Sequence, residues 1–299
     1  MRIGCAFLLS ISVACGGVKS LTDAGMAPPG DALRMCDPTA KFGAPMPLSE
    51  FDMADVGAGR LSSDELTIYF STVAGDLWIS RRSALPEVFG VPALLTAQNS
   101  SSLDYDPTVS SDRLTLWFAS NRTANEGFHL YVAARASTLA EFGAPGLAAT
   151  VNATDPKQTD AQPFVTADGT ELWFTSTRAG GLGGLDIWHA TWAGNEFATP
   201  TIVAELNSSS DDFLPTLSAD RLTVYFASTR AAVGTKGGFD IWTSHRSTVN
   251  DGFPAPTLVD ELNTTGNDFT TWLSVDNCRM FGVSYATGPG RLFMATRQQ

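Results

Sequence analysis

One pattern occurs five times in this chain of 299 residues, and it restricts the fold more than any other feature. Each copy has a small or apolar start, an aspartate, an apolar strand, a loop, and a second apolar strand that carries Trp, Tyr or Phe. Repeats of this length that are built from short strands are typical of β-propellers. The marking aspartates, which are 48 to 56 residues apart, are Asp64, Asp112, Asp168, Asp220 and Asp276.

The fourth copy shows the four strands, a to d, that we expect in each repeat. Strand a is predicted at 215–218, strand b at 222–226, strand c at 239–244 and strand d at about 256–262. Asp220 is predicted to turn the chain between strands a and b, because Asp favours turn positions. The apolar side chains of strand b fall on both faces, as expected for a blade packed between two neighbours.

A Phe-x-x-Pro motif precedes each predicted strand d, at 89–92, 142–145, 197–200 and 253–256. Its first copy, at 42–45, lies before the first strand a, whereas the fifth repeat ends at strand c. We therefore expect residues 43–49 to supply the outer strand of the last blade and to close the ring. The predicted fold is all-β: a five-bladed β-propeller of four-stranded antiparallel blades, closed by the N-terminal strand and forming one domain over 42–299.

The predicted closure brings two cysteines into the same region. Cys36 precedes the first strand, and Cys278 lies in the fifth repeat. In an oxidising compartment such a pair is a candidate disulfide, which would pin the N-terminal strand. The alternative is two free buried thiols.

The first residues resemble a bacterial export signal. Arg2 precedes a short apolar stretch that is too short to span a bilayer as a helix. The sequence Ser-Val-Ala-Cys-Gly then resembles a lipobox, in which Cys15 would become the lipidated first residue. We therefore predict a signal peptide at 1–14 and a lipidated cysteine with a flexible tether at 15–41. The expected location is the outer membrane, periplasm or cell surface, with secretion as the alternative.

The chain is acidic, with a formal net charge of −12. Nucleic-acid binding requires clustered Lys and Arg, so no nucleic-acid partner is predicted. Adsorption to an anionic membrane surface is disfavoured for the same reason, which leaves the lipid anchor as the predicted membrane contact.

Two stretches of the third repeat resemble a known family. Residues 165–178 contain Ala-Asp-Gly, an apolar strand and Ser-Thr-Arg, and residues 185–188 read Leu-Asp-Ile-Trp. This pattern is similar to the TolB-type β-propeller repeat. The resemblance covers about residues 42–297 and implies a propeller. It implies little about function, because the family includes envelope scaffolds, binding proteins and domains attached to enzymes.

Candidate binding residues lie in the d–a and b–c loops, which emerge on the same face of an antiparallel meander. One interpretation is a ring of acids around the channel mouth that binds a cation or polar ligand, together with arginines of the b–c loops. The alternative is that each Asp caps turn amides or pairs with an Arg of the repeat. Blades 1, 2 and 5 depart from the Arg–Asp pattern of the b–c loops, which suggests a distinct patch that includes Arg291. The other candidates are Asp104, Asp160, Asp212, Asp268, Arg122, Arg178 and Arg230.

Motifs of enzymes do not stand out. His129, His189 and His245 lack metal-ligand spacing, so no metal, cofactor or catalytic residue is predicted. Trp192 is expected to be the most exposed tryptophan. The predicted function is a monomeric, non-enzymatic cell-envelope lipoprotein whose loop face binds an envelope protein or a glycan. The alternative is a carbohydrate-active enzyme, such as a glycoside hydrolase, or a lectin that uses the channel mouth.

Overall fold

The computed structural model describes residues 36–52, 55–123 and 126–297, and in these ranges twenty strands form five antiparallel sheets. The predicted signal peptide and Cys15 lie outside the described residues. Blade 1 contains β2 (Val56–Leu61), β3 (Thr67–Thr72), β4 (Leu77–Arg81) and β5 (Ala93–Leu94), and blade 2 contains β6 (Asp104–Val109), β7 (Thr115–Ser120), β8 (His129–Ala134) and β9 (Gly146–Leu147). Blade 3 contains β10 (Asp160–Val165), β11 (Glu171–Ser176), β12 (Asp186–Thr191) and β13 (Thr201–Ile202). Blade 4 contains β14 (Asp212–Leu217), β15 (Thr223–Ser228), β16 (Asp240–His245) and β17 (Thr257–Leu258).

The fifth blade combines both ends of the described chain, as predicted. Its inner three strands are β18 (Asp268–Leu273), β19 (Arg279–Ser284) and β20 (Arg291–Thr296). Its outer strand is β1 (Met46–Pro47), in which Met46 pairs with Met294 of β20. The sequence therefore predicted the five-bladed, four-stranded, all-β fold correctly.

The five inner strands contact one another in the cyclic order β2, β6, β10, β14, β18 and back to β2. Apolar side chains fill the space between neighbouring sheets; for example, Tyr69 and Leu77 of blade 1 share a buried cluster with Leu116 and Phe118 of blade 2. The strands are buried on both faces, which explains why strand b carries apolar residues on both sides.

In the fourth repeat, the predicted strands a and d differ most from the observed strands. The fourth strand a begins at Asp212, three residues before the predicted start, because a bulge and not a loop precedes Pro215. In this bulge Leu214 has a φ of 60°, a left-handed conformation that non-glycine residues rarely adopt. Strand d pairs over only two residues, Thr257–Leu258, and a short 3-10 turn follows at Asp260–Leu262.

The phenylalanine of each Phe-x-x-Pro motif is buried at 4 to 5% exposure, and the residue that follows strand c covers it. In four blades this residue is an arginine whose guanidinium carbon lies 4.0 to 4.4 Å from the ring centroid. In blade 3 the position holds Trp192, which packs edge-on against Phe197 at 5.1 Å. The four arginine–phenylalanine pairs are Arg82–Phe89, Arg135–Phe142, Arg246–Phe253 and Arg297–Phe42.

The repeated aspartates at the a–b turns hold the turns themselves. In blade 4, Asp220 accepts hydrogen bonds from the hydroxyl of Ser218 and from the backbone N–H of Leu222. The next residue, Arg221, has a φ of 61°, and the corresponding residue has a positive φ in every blade. The aspartates therefore recur in every repeat because each one stabilises its a–b turn.

Cys36 and Cys278 form a disulfide with a Cα–Cα distance of 5.7 Å, which joins the N-terminal segment to the a–b turn of blade 5. No helix in the described ranges is both long and apolar enough to cross a bilayer.

Candidate functional site

The aspartates that begin the inner strands of blades 2 to 5 are fully buried. Asp212 accepts hydrogen bonds from the backbone N–H and the hydroxyl of Ser208, at 2.6 and 2.8 Å. Its other carboxylate oxygen accepts a hydrogen bond from Arg230 at 2.5 Å. A buried charge is tolerated when it is paired and hydrogen-bonded. These contacts therefore indicate that the aspartate stabilises the blade. The same pairing occurs in Arg122–Asp104 at 2.7 Å and Arg178–Asp160 at 2.5 Å.

Each of these three arginines is held by further groups. The Nε of Arg230 donates to the hydroxyl of Ser228 at 3.0 Å, and one terminal nitrogen donates to the carbonyl of Leu206. Its guanidinium carbon lies 5.1 Å from the ring of Phe226 and 5.3 Å from that of Trp242. A carboxylate, a hydroxyl, a carbonyl and two aromatic faces thus form a complete guanidinium site inside the blade.

Blades 1 and 5 depart from this arrangement. Blade 1 has Val56 and Ala74 at the two positions, so both charges are absent. Blade 5 retains Asp268 but has Ala286 in place of the arginine. Arg291 does not replace it, because its guanidinium donates to the carboxylate of Asp52 at 2.8 Å and to the carbonyl of the same residue at 2.7 Å.

The channel contains side chains that differ from blade to blade, unlike the repeated acids. Arg60, on the inner strand of blade 1, is only 2% exposed and reaches across the channel. It donates to the carbonyl of Thr271 at 2.7 Å and to the hydroxyl of Thr216 at 3.3 Å, and it lies 5.1 Å from the ring of Phe164. Burial lowers the pKa of Arg60 to about 10. Arg60 therefore connects blade 1 with blades 3, 4 and 5.

Asp106 is the channel carboxylate that sequence reasoning did not select. It lies at the bulge of the inner strand of blade 2, with a φ of 56°, and accepts a hydrogen bond from the amide of Gln162 at 3.1 Å. Burial raises the pKa of Asp106 to about 6, although Arg60 and the hydrogen bond from Gln162 act in the opposite direction. Such a carboxyl group can hold or release a proton near neutral pH.

Two groups of aromatic rings lie at the d–a and b–c loops. Neighbouring ring centroids are 4.6 to 5.9 Å apart. Burial raises the pKa of Tyr285 to about 12, and the negative charges of Asp55 and Asp106 act in the same direction. The first group is Tyr105 and Phe128, and the second is Phe213, Phe239, Phe269 and Tyr285.

A groove of about 600 Å³ lies between blades 2 and 3, on the side of the a–b turns and c–d loops. Trp192 is 47% exposed in this groove. Trp117 packs edge-on against Phe197 at 5.7 Å and continues the aromatic wall. Asn195 and Glu196 are exposed polar side chains at its edge. An exposed aromatic face beside polar groups is typical of sites that bind amphipathic ligands.

The described residues contain no group of three or more His, Cys, Asp or Glu that could hold a metal ion. The three histidines lie in three different blades and at three different positions of strand c. His129 begins strand c of blade 2, His189 lies within strand c of blade 3, and His245 ends strand c of blade 4. Burial lowers the pKa of His189, which favours its neutral form.

The predicted loop-face residues are thus spread over separate sites and do not converge. The acids and arginines of blades 2 to 4 pair within their own blades, and Arg291 pairs with the N-terminal segment. Sequence analysis anticipated the exposure of Trp192 but did not select Arg60, Asp106 or Gln162. A usable signal was present, since these are polar residues at inner-strand positions where the repeat conserves no residue type from copy to copy.

No family model matches the chain, and no curated protein matches it. Among solved structures, it is similar to an α-L-arabinofuranosidase from Lactobacillus brevis, at 11% identity and a TM-score of 0.56, over 82% of this chain and 90% of that one. A thermostable family-43 glycoside hydrolase gives 12% identity and a TM-score of 0.54, over 82% and 89%. TolB from Acinetobacter baumannii gives 16% identity and a TM-score of 0.44, over 82% of this chain but only 55% of TolB. At these identities the likeness to the two glycoside hydrolases shows the fold alone.

Proposed function

We propose that this chain is an exported, non-enzymatic binding protein, anchored by lipid at Cys15, that recognises a glycan in the groove between blades 2 and 3. The observation that carries the proposal is Trp192. Four blades cover the phenylalanine of the Phe-x-x-Pro motif with an arginine, whereas blade 3 uses a tryptophan that is 47% exposed. The framework does not require this substitution, because arginine fills the same role elsewhere.

The groove has the chemistry of a saccharide site. The flat faces of sugars stack on exposed indole rings, and their hydroxyl groups hydrogen-bond to amides and carboxylates. Trp192 supplies the indole face, and Asn195 and Glu196 supply the polar groups at its edge. The export and anchor are supported by the signal-like N-terminus and by the Cys36–Cys278 disulfide, which fits an oxidising compartment.

The binding test measures quenching of tryptophan fluorescence and calorimetric heats with a panel of neutral and acidic oligosaccharides. We expect binding by the native chain and its loss in Trp192→Arg, which restores the residue of the other four blades. The matched control is Leu182→Ala, since Leu182 is an exposed apolar residue of a b–c loop, outside the groove. Unchanged binding in Trp192→Arg would contradict the assignment of the groove as the glycan-binding site. The anchor is tested by measuring the intact mass of the native protein. A mass without acyl groups would contradict the proposed lipid anchor at Cys15.

A second candidate, a glycoside hydrolase, is favoured by Asp106, whose raised pKa suits a general acid. Such enzymes use two carboxyl groups about 5 to 10 Å apart. Asp55 is the candidate partner, because both carboxylates act on Tyr285. Hydrolysis of aryl glycosides by the native chain, lost in Asp106→Asn and in Asp55→Asn, would establish this function in place of the first.

A further inference from the structure

Blade 5 retains one half of an ion pair. In blades 2, 3 and 4 a serine ends strand b, an arginine follows two residues later, and the arginine pairs with the buried aspartate of strand a. Blade 5 has Ser284 and Asp268 at these positions, but Ala286 in place of the arginine. One oxygen of Asp268 accepts hydrogen bonds from the backbone N–H and the hydroxyl of Thr264, at 2.6 and 2.8 Å. The other, Oδ1, is buried and has no hydrogen-bond partner within the described part of the chain.

A cavity of about 240 Å³ occupies the place of the missing side chain. Asp268, Ser284, Leu262 and Phe293 line it, and Ala286 lies at its edge. The corresponding residues of blade 4 contribute the carboxylate, hydroxyl, carbonyl and aromatic face that hold Arg230. These blade 4 residues are Asp212, Ser228, Leu206 and Trp242.

The charge balance of the repeats points to a cationic occupant. Where blade 1 lost the arginine it also lost the acid, since Val56 stands at the aspartate position and Ala74 at the arginine position. Blade 5 lost only the cation, and a buried carboxylate oxygen without a partner is costly. Arg291 lies at the cavity wall, but its guanidinium is bound to Asp52.

We propose that this cavity is a binding site for a guanidinium group, carried either by an arginine side chain of a partner protein or by a small guanidinium compound. Guanidinium is planar and carries five donors, which matches a site already used three times by the chain's own arginines. Access is from solvent, because Pro47, Ala286 and Thr287 at the cavity wall are exposed.

The first test compares methylguanidine with methylurea, its uncharged analogue of similar shape, at equal low millimolar concentrations. We expect methylguanidine to raise the melting temperature and to give a saturable calorimetric signal, and methylurea to do neither. Equal effects of the two compounds would show that the cavity does not select a guanidinium group and would overturn the proposal.

Two variants locate the site. Ala286→Arg supplies the missing guanidinium within the chain, so this variant should melt higher than the native protein and bind methylguanidine at least about tenfold more weakly. Arg230→Ala should open a second site of the same kind in blade 4 and should be stabilised by methylguanidine more strongly than the native chain. Undiminished binding in Ala286→Arg would place the site elsewhere and refute the assignment.

The source of the group is decided by a third probe, the blocked tripeptide acetyl-Gly-Arg-Gly-amide, with the corresponding lysine peptide as control. Tighter binding of the arginine peptide than of methylguanidine would identify a protein partner, and equal binding would identify a small molecule. Equal affinity for the lysine peptide would contradict recognition of a guanidinium group.

Discussion

Removal of the Cys36–Cys278 disulfide tests whether closure of the ring depends on it. The bond joins residues 242 apart in sequence and therefore encloses almost the whole propeller. The N-terminal segment is also attached without the disulfide: Leu48 donates to the carbonyl of Leu292 at 2.9 Å, and Phe51 is buried in the core. Beyond the two paired residues of β1, Gly43 donates to the carbonyl of Thr296 at 2.8 Å, and Arg297 covers Phe42 at 4.0 Å.

The expected magnitude follows from the length of the enclosed loop. For 242 residues the chain-entropy relation gives a loss of about 5 to 6 kcal/mol in the free energy of unfolding at 25 °C. For a domain of this size the entropy of unfolding converts that loss into a decrease of about 10 °C in melting temperature. Because β1 itself pairs with β20 over only two residues, we also expect it to detach before the blades unfold.

The assay compares the double variant Cys36→Ser/Cys278→Ser with the oxidised native chain by calorimetry, and follows limited proteolysis below the melting temperature. The double variant should melt about 10 °C lower and be cleaved first near residues 36–48. Reductant should lower the native melting temperature to that of the variant, and should leave the variant itself unchanged. A melting temperature within about 2 °C of the native value would refute the argument that the bond acts by restricting the unfolded chain.

Substitutions of three further residues test other parts of the structure by urea unfolding. Asp106 has a pKa of about 6 when folded and an ordinary value of 3.8, so the native protein should lose up to about 3 kcal/mol of stability as the pH rises from 4 to 7, and Asp106→Asn should abolish that dependence. Asn207→Ala removes bonds of 2.7 and 2.9 Å to the buried N–H and C=O of Ile187, and should cost about 2 to 4 kcal/mol; a cost below about 1 kcal/mol would contradict this role. Arg246→Ala uncovers Phe253 and should lower the free energy of unfolding by about 1 to 2 kcal/mol, and Arg246→Lys should cause a smaller loss.

Much of the fold could be predicted because its determinants recur. The five aspartates at the a–b turns and the five Phe-x-x-Pro motifs repeat the same local geometry, and the surplus first motif indicated the closure of blade 5. The start of the inner strands could not be read in the same way. The left-handed residue and proline at the bulge, as in Leu214–Pro215, look like a break in the strand when only sequence is considered.

The candidate sites were harder to predict because they depend on departures from the repeat. Arg60 acts across the channel on residues of three other blades, and no spacing along the chain reveals such a contact. The role of Asp268 depends on a side chain that is missing at position 286, which is visible in sequence only after the partner of each arginine is known. The repeated acids of blades 2 to 4, in contrast, fit the alternative that each Asp caps turn amides or pairs with an Arg of the repeat.

The pairing of β1 with β20 has a consequence for the order of synthesis. Met46 leaves the ribosome early, but its partner Met294 follows 248 residues later. Blades 1 to 4 can each assemble as soon as their own four strands have emerged, whereas the outer strand of blade 5 must wait for almost the entire chain. A product that terminates early therefore leaves β1 unpaired and the ring open. We expect proteases to cleave such incomplete chains more readily than those of a propeller in which every blade is built from consecutive strands.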